Sequence, residues 1–399
     1  MNTKTFISVL LTFVAISIVS LSGCERIRHV ITSETVTPET LSTVKVGVIH
    51  PSGLAPSFIK GAELARTQVN EAGGLLGMPV EFIVMDNQGD SELPDAAESV
   101  RIAKALIEQE GVVALLGPLL STNAIQVGPV ATELRRPLIT GSSGEGSSGE
   151  KVTSTGEFVF ITVAPSAVQG AKTAQFALDP VELNAKTAAT IRQVGDVYSS
   201  VVADAFEENF QKLGGELVAS EVYQHGDRNF TAQLTKIQAA APDVLLIAGF
   251  NPEIPLFALE VRNMNIDAIF IGTNGWDEPD KLLGTLDDNA PLEGSYFTRN
   301  FNVGHVSAPA FVKAYTAMYM EPPDVPSARG YDAMSLLAHA IKNAGTLDPD
   351  AIRNALANTT NYQGATAILY LDENRHPVKY LELYIIRNGE IELYKVITP

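Results

Sequence analysis

Cysteine is all but missing from this chain of 399 residues: Cys24 stands alone. No disulfide can form within the chain, and no cysteine cluster can hold a metal. Positive charge is also scarce. There are 28 Lys and Arg against 46 Asp and Glu, giving a formal net charge of -18 and an isoelectric point of about 4.8. A surface that grips phosphates needs the opposite balance, which argues against nucleic acid as a partner. The six histidines, His29, His50, His225, His305, His339 and His376, are scattered without the spacing of a metal site. Neither a GxSxG turn nor a Ser/His/Asp arrangement is evident, so no residue set asks for an enzyme. Residues 144–149 spell a literal GxGxxG. They precede a strand-like segment rather than a helix, and Glu150 stands where a phosphate-binding loop carries lysine. Long apolar runs are confined to one place, the first 22 residues.

That run begins after Lys4, extends from Phe6 to Leu21 and ends in Leu21-Ser22-Gly23-Cys24. The pattern is a secretory signal peptide closing on a lipobox. Small residues admit the signal peptidase, and the Cys24 thiol accepts a diacylglycerol. The competing reading is an uncleaved transmembrane anchor, for which the run is only marginally long. On the lipoprotein reading, residues 1–23 are removed and the protein is held extracytoplasmically on a membrane by its N-terminal lipid. Residues 24–43 are polar, Thr-rich and aperiodic, as a flexible tether would be.

Beyond residue 43 the composition is that of an ordinary globular protein, 45% hydrophobic and 19% charged, long enough for two cores. Val44–Ile49 reads as a buried strand. Phe58, Ala62, Ala65, Val69 and Ala72 then fall on one helical face, ended by Gly73 and Gly74. A strand over 80–85 and a helix over 92–109 follow. The alternation restarts after Pro165 with strands near 187–193, 216–223, 244–248 and 268–271, each separated by a helical segment. The chain ends in short alternating runs that read as antiparallel strands. This order calls for an α/β protein with two doubly wound parallel sheets, and ligands in such sheets bind beyond the carboxyl ends of the strands.

The stretch over 111–143, GVVALLGPLLSTNAIQVGPVATELRRPLITGSS, places two such strand ends side by side. Val112–Leu116 and Pro137–Thr140 are the strands. Between them lies a helix opened by Ser121, Thr122 or Asn123, and the second strand runs into a loop of Gly and Ser. A helix N-terminus with free N–H groups and a nearby hydroxyl favours a carboxylate. A hydroxyl at Ser121 is equally explained as a helix cap, and both readings stand.

The segments KVGVIHPSG, KGAELARTQVNEAGGLLGMPVEF, ALLGPLLST, FVFITVAPSAVQG, NFTAQLTKIQAAAPDVLLIAGFNPE and ARGYDAMSLLAHAI carry, by their order and spacing, a resemblance. The chain is similar to the type I periplasmic solute-binding proteins of the leucine/isoleucine/valine-binding group, the receptors of branched-chain amino acid ABC transporters. The resemblance implies two lobes joined by a three-strand hinge, with crossings near Pro165, Thr298 and Tyr362. Lobe 1 would take residues 44–166 and 298–361, and lobe 2 residues 167–297 and 362–399. It implies a small-molecule ligand, by default an amino acid, handed to a membrane permease and its ATPase. It also implies ligand contacts at Ser121 and Thr122, at Ser142 and Ser143, and from the second lobe at Tyr198, Phe250 and Asn274. Trp276 and Asp277, in the same loop beyond a strand end, are further candidate ligand contacts. No cofactor is implied.

Two departures bear on the ligand. Where many relatives carry Asp after Pro-Ser in the first crossing, this chain has Ala167, and the acidic position after the later strand is Asn274. Either carboxylate would pair with a ligand ammonium. Asp277 or Glu278 could substitute by a loop shift; otherwise the ligand is an amide, a hydroxy acid or an aromatic acid. A sensor presenting ligand to a separate signalling partner is the alternative function. An enzyme using His50 or Asp277 is the third.

Overall fold

The computed structural model describes residues 42–89, 93–142, 152–301, 308–366 and 368–399. The expected signal peptide, Cys24, most of the tether, Ser143 and the 144–149 loop lie outside the described residues.

Strand β1 (Val44–His50) lies inside the first sheet, and all but one of its residues are buried. It pairs in parallel with β2 (Val80–Asp86) on one side and β3 (Leu115–Leu116) on the other. Strands β4 (Leu138–Thr140) and β5 (Val159–Ile161) extend the sheet in the order β2-β1-β3-β4-β5. Between them run α1 (Ser57–Glu71), α2 (Ala96–Glu108) and α3 (Ser121–Glu133). Helix α2 begins later than its periodicity suggests because Asp95 caps it, accepting from the Glu98 N–H at 2.6 Å.

After α4 (Ser166–Leu178) the pattern repeats: β6 (Thr187–Gln193), α5 (Val197–Lys212), β7 (Glu216–Tyr223), α6 (Thr231–Ala240), β8 (Val244–Ala248), α7 (Glu253–Asn263) and β9 (Ile269–Gly272). The short α8 (Pro279–Gly284) precedes β10 (Tyr296–Arg299), which pairs with β9 in parallel. The chain then returns to the first sheet, where α9 (Pro309–Tyr319), α10 (Val325–Ala344) and α11 (Pro349–Ala357) follow one another. Helix α10 lies directly on α1. An added Cβ at Gly61 would meet the Ser327 carbonyl oxygen at 1.8 Å, and one at Gly330 would meet that of Phe58 at 2.0 Å, so each helix uses a glycine to admit the other's backbone. A capping box between Asp324 and Ser327 starts α10.

A small antiparallel sheet of β11 (Thr360–Tyr362), β12 (Ile368–Leu371) and β13 (Pro377–Val378) comes next. Tyr362, Ile368 and Leu371 belong to the first core, together with Phe58 and Leu337. The final crossing therefore falls between Leu371 and β14 (Leu381–Arg387), later than the Tyr362 expected from the resemblance. Strand β14 runs antiparallel to β10, and β15 (Glu390–Ile397) completes the second sheet, ordered β15-β14-β10-β9-β8-β6-β7. Each sheet has its own cores on both faces. The architecture is the expected α/β one, two sheets covered by helices, the first parallel and the second parallel except at its β14–β15 edge. No helix among the described residues is long and apolar enough to cross a membrane.

Lys379 sits where the last crossing leaves β13. Its buried ammonium donates to the Thr162 carbonyl at 3.0 Å and the Thr366 hydroxyl at 2.7 Å. The Asp332 carboxylate accepts from the Ala365 and Thr366 N–H groups at 2.7 and 3.0 Å and from the Thr366 hydroxyl. Burial pushes the Asp332 carboxyl up to about 6 and the Lys379 ammonium down to about 8.

Candidate functional site

The carboxyl ends of both sheets face one cleft of about 1000 Å³, counting its solvent-open space. On the first-sheet side, β3 runs into Gly117-Pro118. Gly117 has a φ of +81°, and a Cβ there would meet the Ile49 carbonyl at 2.4 Å, so this turn requires glycine. The Thr140 hydroxyl at the end of β4 donates to the Pro118 carbonyl and accepts from the Ser142 N–H at 3.0 Å. These bonds draw the two loops together. Ser121, Gly141 and Ser142 line the cleft. Ser121 is the first helical residue of α3 rather than its cap. The cap position is Leu120, and no side chain caps the helix. The helix N-terminus is thus presented without a capping side chain.

Thr122 does not line the cleft. It hydrogen-bonds to Asp196, the residue that caps α5 by accepting from the Ser199 N–H at 2.7 Å. The two sides of the cleft meet at this bond. Burial raises the Asp196 pKa above the ordinary carboxylate value.

On the second-sheet side the cleft is lined by Gln193, Asp196, Tyr198, Phe250, Asn251, Asn274, Gly275 and Asp277. The Tyr198 and Phe250 rings lie 5.0 Å apart. The Tyr198 hydroxyl is 2.5 Å from the Thr273 hydroxyl and accepts from the Gly275 N–H at 2.6 Å, so this ring clamps the loop after β9. Burial, foremost, drives its pKa up. Trp276, expected at the site, belongs instead to the core: it is 0% exposed, stacks on Phe297 at 5.7 Å and donates to the Ile247 carbonyl at 2.9 Å. Asn274 to Trp276 form a 3₁₀ turn in which residues three apart share a side, so Asn274 and Asp277 face the cleft while the indole points inward.

The Asp277 carboxylate is not free. It pairs with the Arg299 guanidinium and accepts from the Asn300 N–H at 3.3 Å. Burial raises its pKa, with Arg299 and Arg329 opposing. Arg329, on α10, lines the cleft and was not anticipated. Its side chain passes Gly141, where a Cβ would meet Arg329 Cδ at 3.0 Å. Its Nε is buried without a hydrogen-bond partner, as are Gln193 Oε1, Asn274 Oδ1 and both amide atoms of Asn251. His50, named for the enzyme alternative, is 8% exposed and does not line the cleft, and burial lowers its pKa. No group of three or more His, Cys, Asp or Glu among the described residues is placed to hold a metal ion.

Residues 43–390 match the sequence profile of the periplasmic binding proteins. An amino acid binding protein of Pseudomonas aeruginosa is 26% identical over 316 residues, covering 77% of this chain and 81% of that one. Among solved structures, a leucine-binding protein, LivK, from Thermotoga maritima superposes with a TM-score of 0.78 at 28% identity, covering 90% of this chain and 99% of that one. The branched-chain amino acid transporter substrate-binding protein LivJ from Streptococcus pneumoniae, in complex with isoleucine, gives a TM-score of 0.77 at 28% identity, covering 90% and 100%.

Proposed function

The chain belongs to the periplasmic binding protein family, whose members bind solutes outside the cytoplasm and are not enzymes, and from that premise we propose that it captures one small carboxylate-bearing solute and delivers it to an ABC importer. The solute is an amino acid, as for the relatives named above, or a related small carboxylic acid. A diacylglycerol on Cys24 holds the receptor at the membrane, and the 24–43 segment gives it reach.

One observation carries this reading: a single cleft is lined from the strand ends of both sheets, with an uncapped helix N-terminus on one side and aromatic rings on the other. The ligand carboxylate is received by the N–H groups opening α3, with Ser121 and Ser142 beside it. Tyr198, Phe250, Asn274 and the Asp277 loop close from the opposite side. Closure shifts a pre-existing equilibrium between open and closed forms, and the permease recognises the closed one.

Thermal unfolding of the purified protein against amino acids, amides, hydroxy acids and aromatic acids tests it. A cognate ligand at 100 times its dissociation constant adds about 2.7 kcal/mol, a rise in Tm of a few degrees. A panel without any stabilising carboxylate would refute the carboxylate reading.

A further inference from the structure

Arg329 has no role in the scheme above, yet it occupies the carboxylate end of the cleft. It comes from α10, which Gly61 and Gly330 lock against α1, so its backbone is fixed relative to the first sheet. Its side chain runs along Gly141, next to Ser142 and Leu119, and its Nε has no partner. Desolvation lowers its pKa, and nearby carboxylates oppose this.

Each of those carboxylates already has a partner of its own. Asp277 is paired with Arg299. Glu278 is 2.8 Å from the Lys281 ammonium. Asp324 accepts from the Ser57 hydroxyl at 2.6 Å and from the Ser327 N–H at 2.9 Å. Asp196, the other carboxylate of the cleft, accepts from Thr122 and the Ser199 N–H. Arg329 is thus a cleft cation whose neighbouring carboxylates are all engaged by other groups, and a buried charge without a partner of its own is costly. A bound anion removes that cost and supplies the missing acceptor.

The engagement of these carboxylates also works against an ammonium on the ligand. Position 167 is Ala and position 274 is Asn. Asp277 is held by Arg299, and the Asp196 carboxylate is taken by the Ser199 N–H and Thr122. Three neutral amides, Gln193, Asn251 and Asn274, also line the opposite side, with buried polar atoms unsatisfied. These suit a hydroxyl or carbonyl. Leu54, Leu119, Val325 and the Tyr198–Phe250 pair give the ligand body an apolar bed.

We infer that Arg329 is the cation that pairs with the ligand's carboxylate, and that the ligand is a monocarboxylate with an apolar or aromatic body and no α-ammonium. This rests on the carboxylate reading of the cleft and narrows it. The probes are 4-methylpentanoate against L-leucine, 3-phenylpropanoate against L-phenylalanine, and the primary amides of both acids, titrated calorimetrically into the full protein. The acids are expected to bind at least about tenfold more tightly than their amino-acid and amide counterparts. Arg329→Met lowers acid affinity by about 30-fold, the range for losing a charged hydrogen bond, and Arg329→Lys by less. An amino acid that outbinds its des-amino counterpart overturns this inference and leaves the receptor reading intact. Unchanged acid affinity in Arg329→Met also overturns it and makes Arg329 a structural partner of Asp277. Failure of every acid and amino acid to bind the unaltered protein overturns the inference and the carboxylate reading together. Should Arg329→Met not fold, the ranking of acid, amide and amino acid on the unaltered protein decides by itself.

Discussion

On the first-sheet side of the cleft, polar groups are largely engaged with one another before any ligand arrives: Thr140 holds Pro118 and Ser142, and Thr122 reaches across to Asp196. On the second-sheet side, Gln193, Asn251 and Asn274 carry buried polar atoms with no partner. The first side is small, hydroxylated and braced except at the Arg329 Nε, and on the proposed reading it receives the charged group. The second is aromatic and amide-rich, and on the same reading it is completed by what it encloses. Recognition of the charged end and discrimination of the body would then fall to different sides, and substitutions should separate them.

The largest effect is expected at Trp276. Its indole fills the second core, so Trp276→Ala should cost about 3–5 kcal/mol of stability in denaturant unfolding. Lost ligand affinity with unchanged stability would instead return Trp276 to the cleft. Next comes Tyr198→Phe, which leaves the buried Gly275 N–H without its acceptor. A cost of about 1–3 kcal/mol is expected, seen as lower stability and weaker binding together, because this hydroxyl clamps the loop after β9. On the opposite side Ser121→Ala should be milder. Loss of one hydrogen bond weakens carboxylate binding by about 1 kcal/mol, roughly fivefold, in a calorimetric titration. An equal or larger loss than at Tyr198 would reverse the division of labour proposed for the two sides.

The last expectation concerns pH. The folded Asp332 carboxyl is pushed up to about 6 by burial, so the folded protein takes up a proton that the unfolded chain accepts only near the ordinary value of about 3.9. A raised carboxyl pKa contributes stability that is complete below the unfolded value and is lost as pH rises through the folded one. The stability of the unaltered protein relative to Asp332→Asn should therefore be greatest near pH 4, shrink as pH rises towards 6 and level off above it. A difference independent of pH would refute this.

The strand and helix alternation was legible because parallel strands buried on both faces read as short apolar runs and their covering helices as periodic ones. Ser121, Ser142, Tyr198, Phe250, Asn274 and Asp277 reach the cleft because each follows or borders a strand end, a position that sequence order exposes. The rule gives the loop and not the side, which is why Trp276 was placed with its neighbours; the 3₁₀ turn turns it away. Arg329 had no such signal. It lies within a helix far from the strand ends, where an arginine reads as a solvated face. Only the close crossing of α1 and α10, marked by Gly61 and Gly330, brings it beside Gly141. Asp196 caps α5, and its position in the cleft depends on how the two sides meet.

Thr162 and Lys379 belong to different connections between the sheets, and one ammonium bonds to the first while standing on the second. On the receptor reading proposed above, this bond couples the bending of the two connections. Opening would then be a swing in one coordinate rather than a loose wobble in several, and the closed form would present the same face to its partner each time.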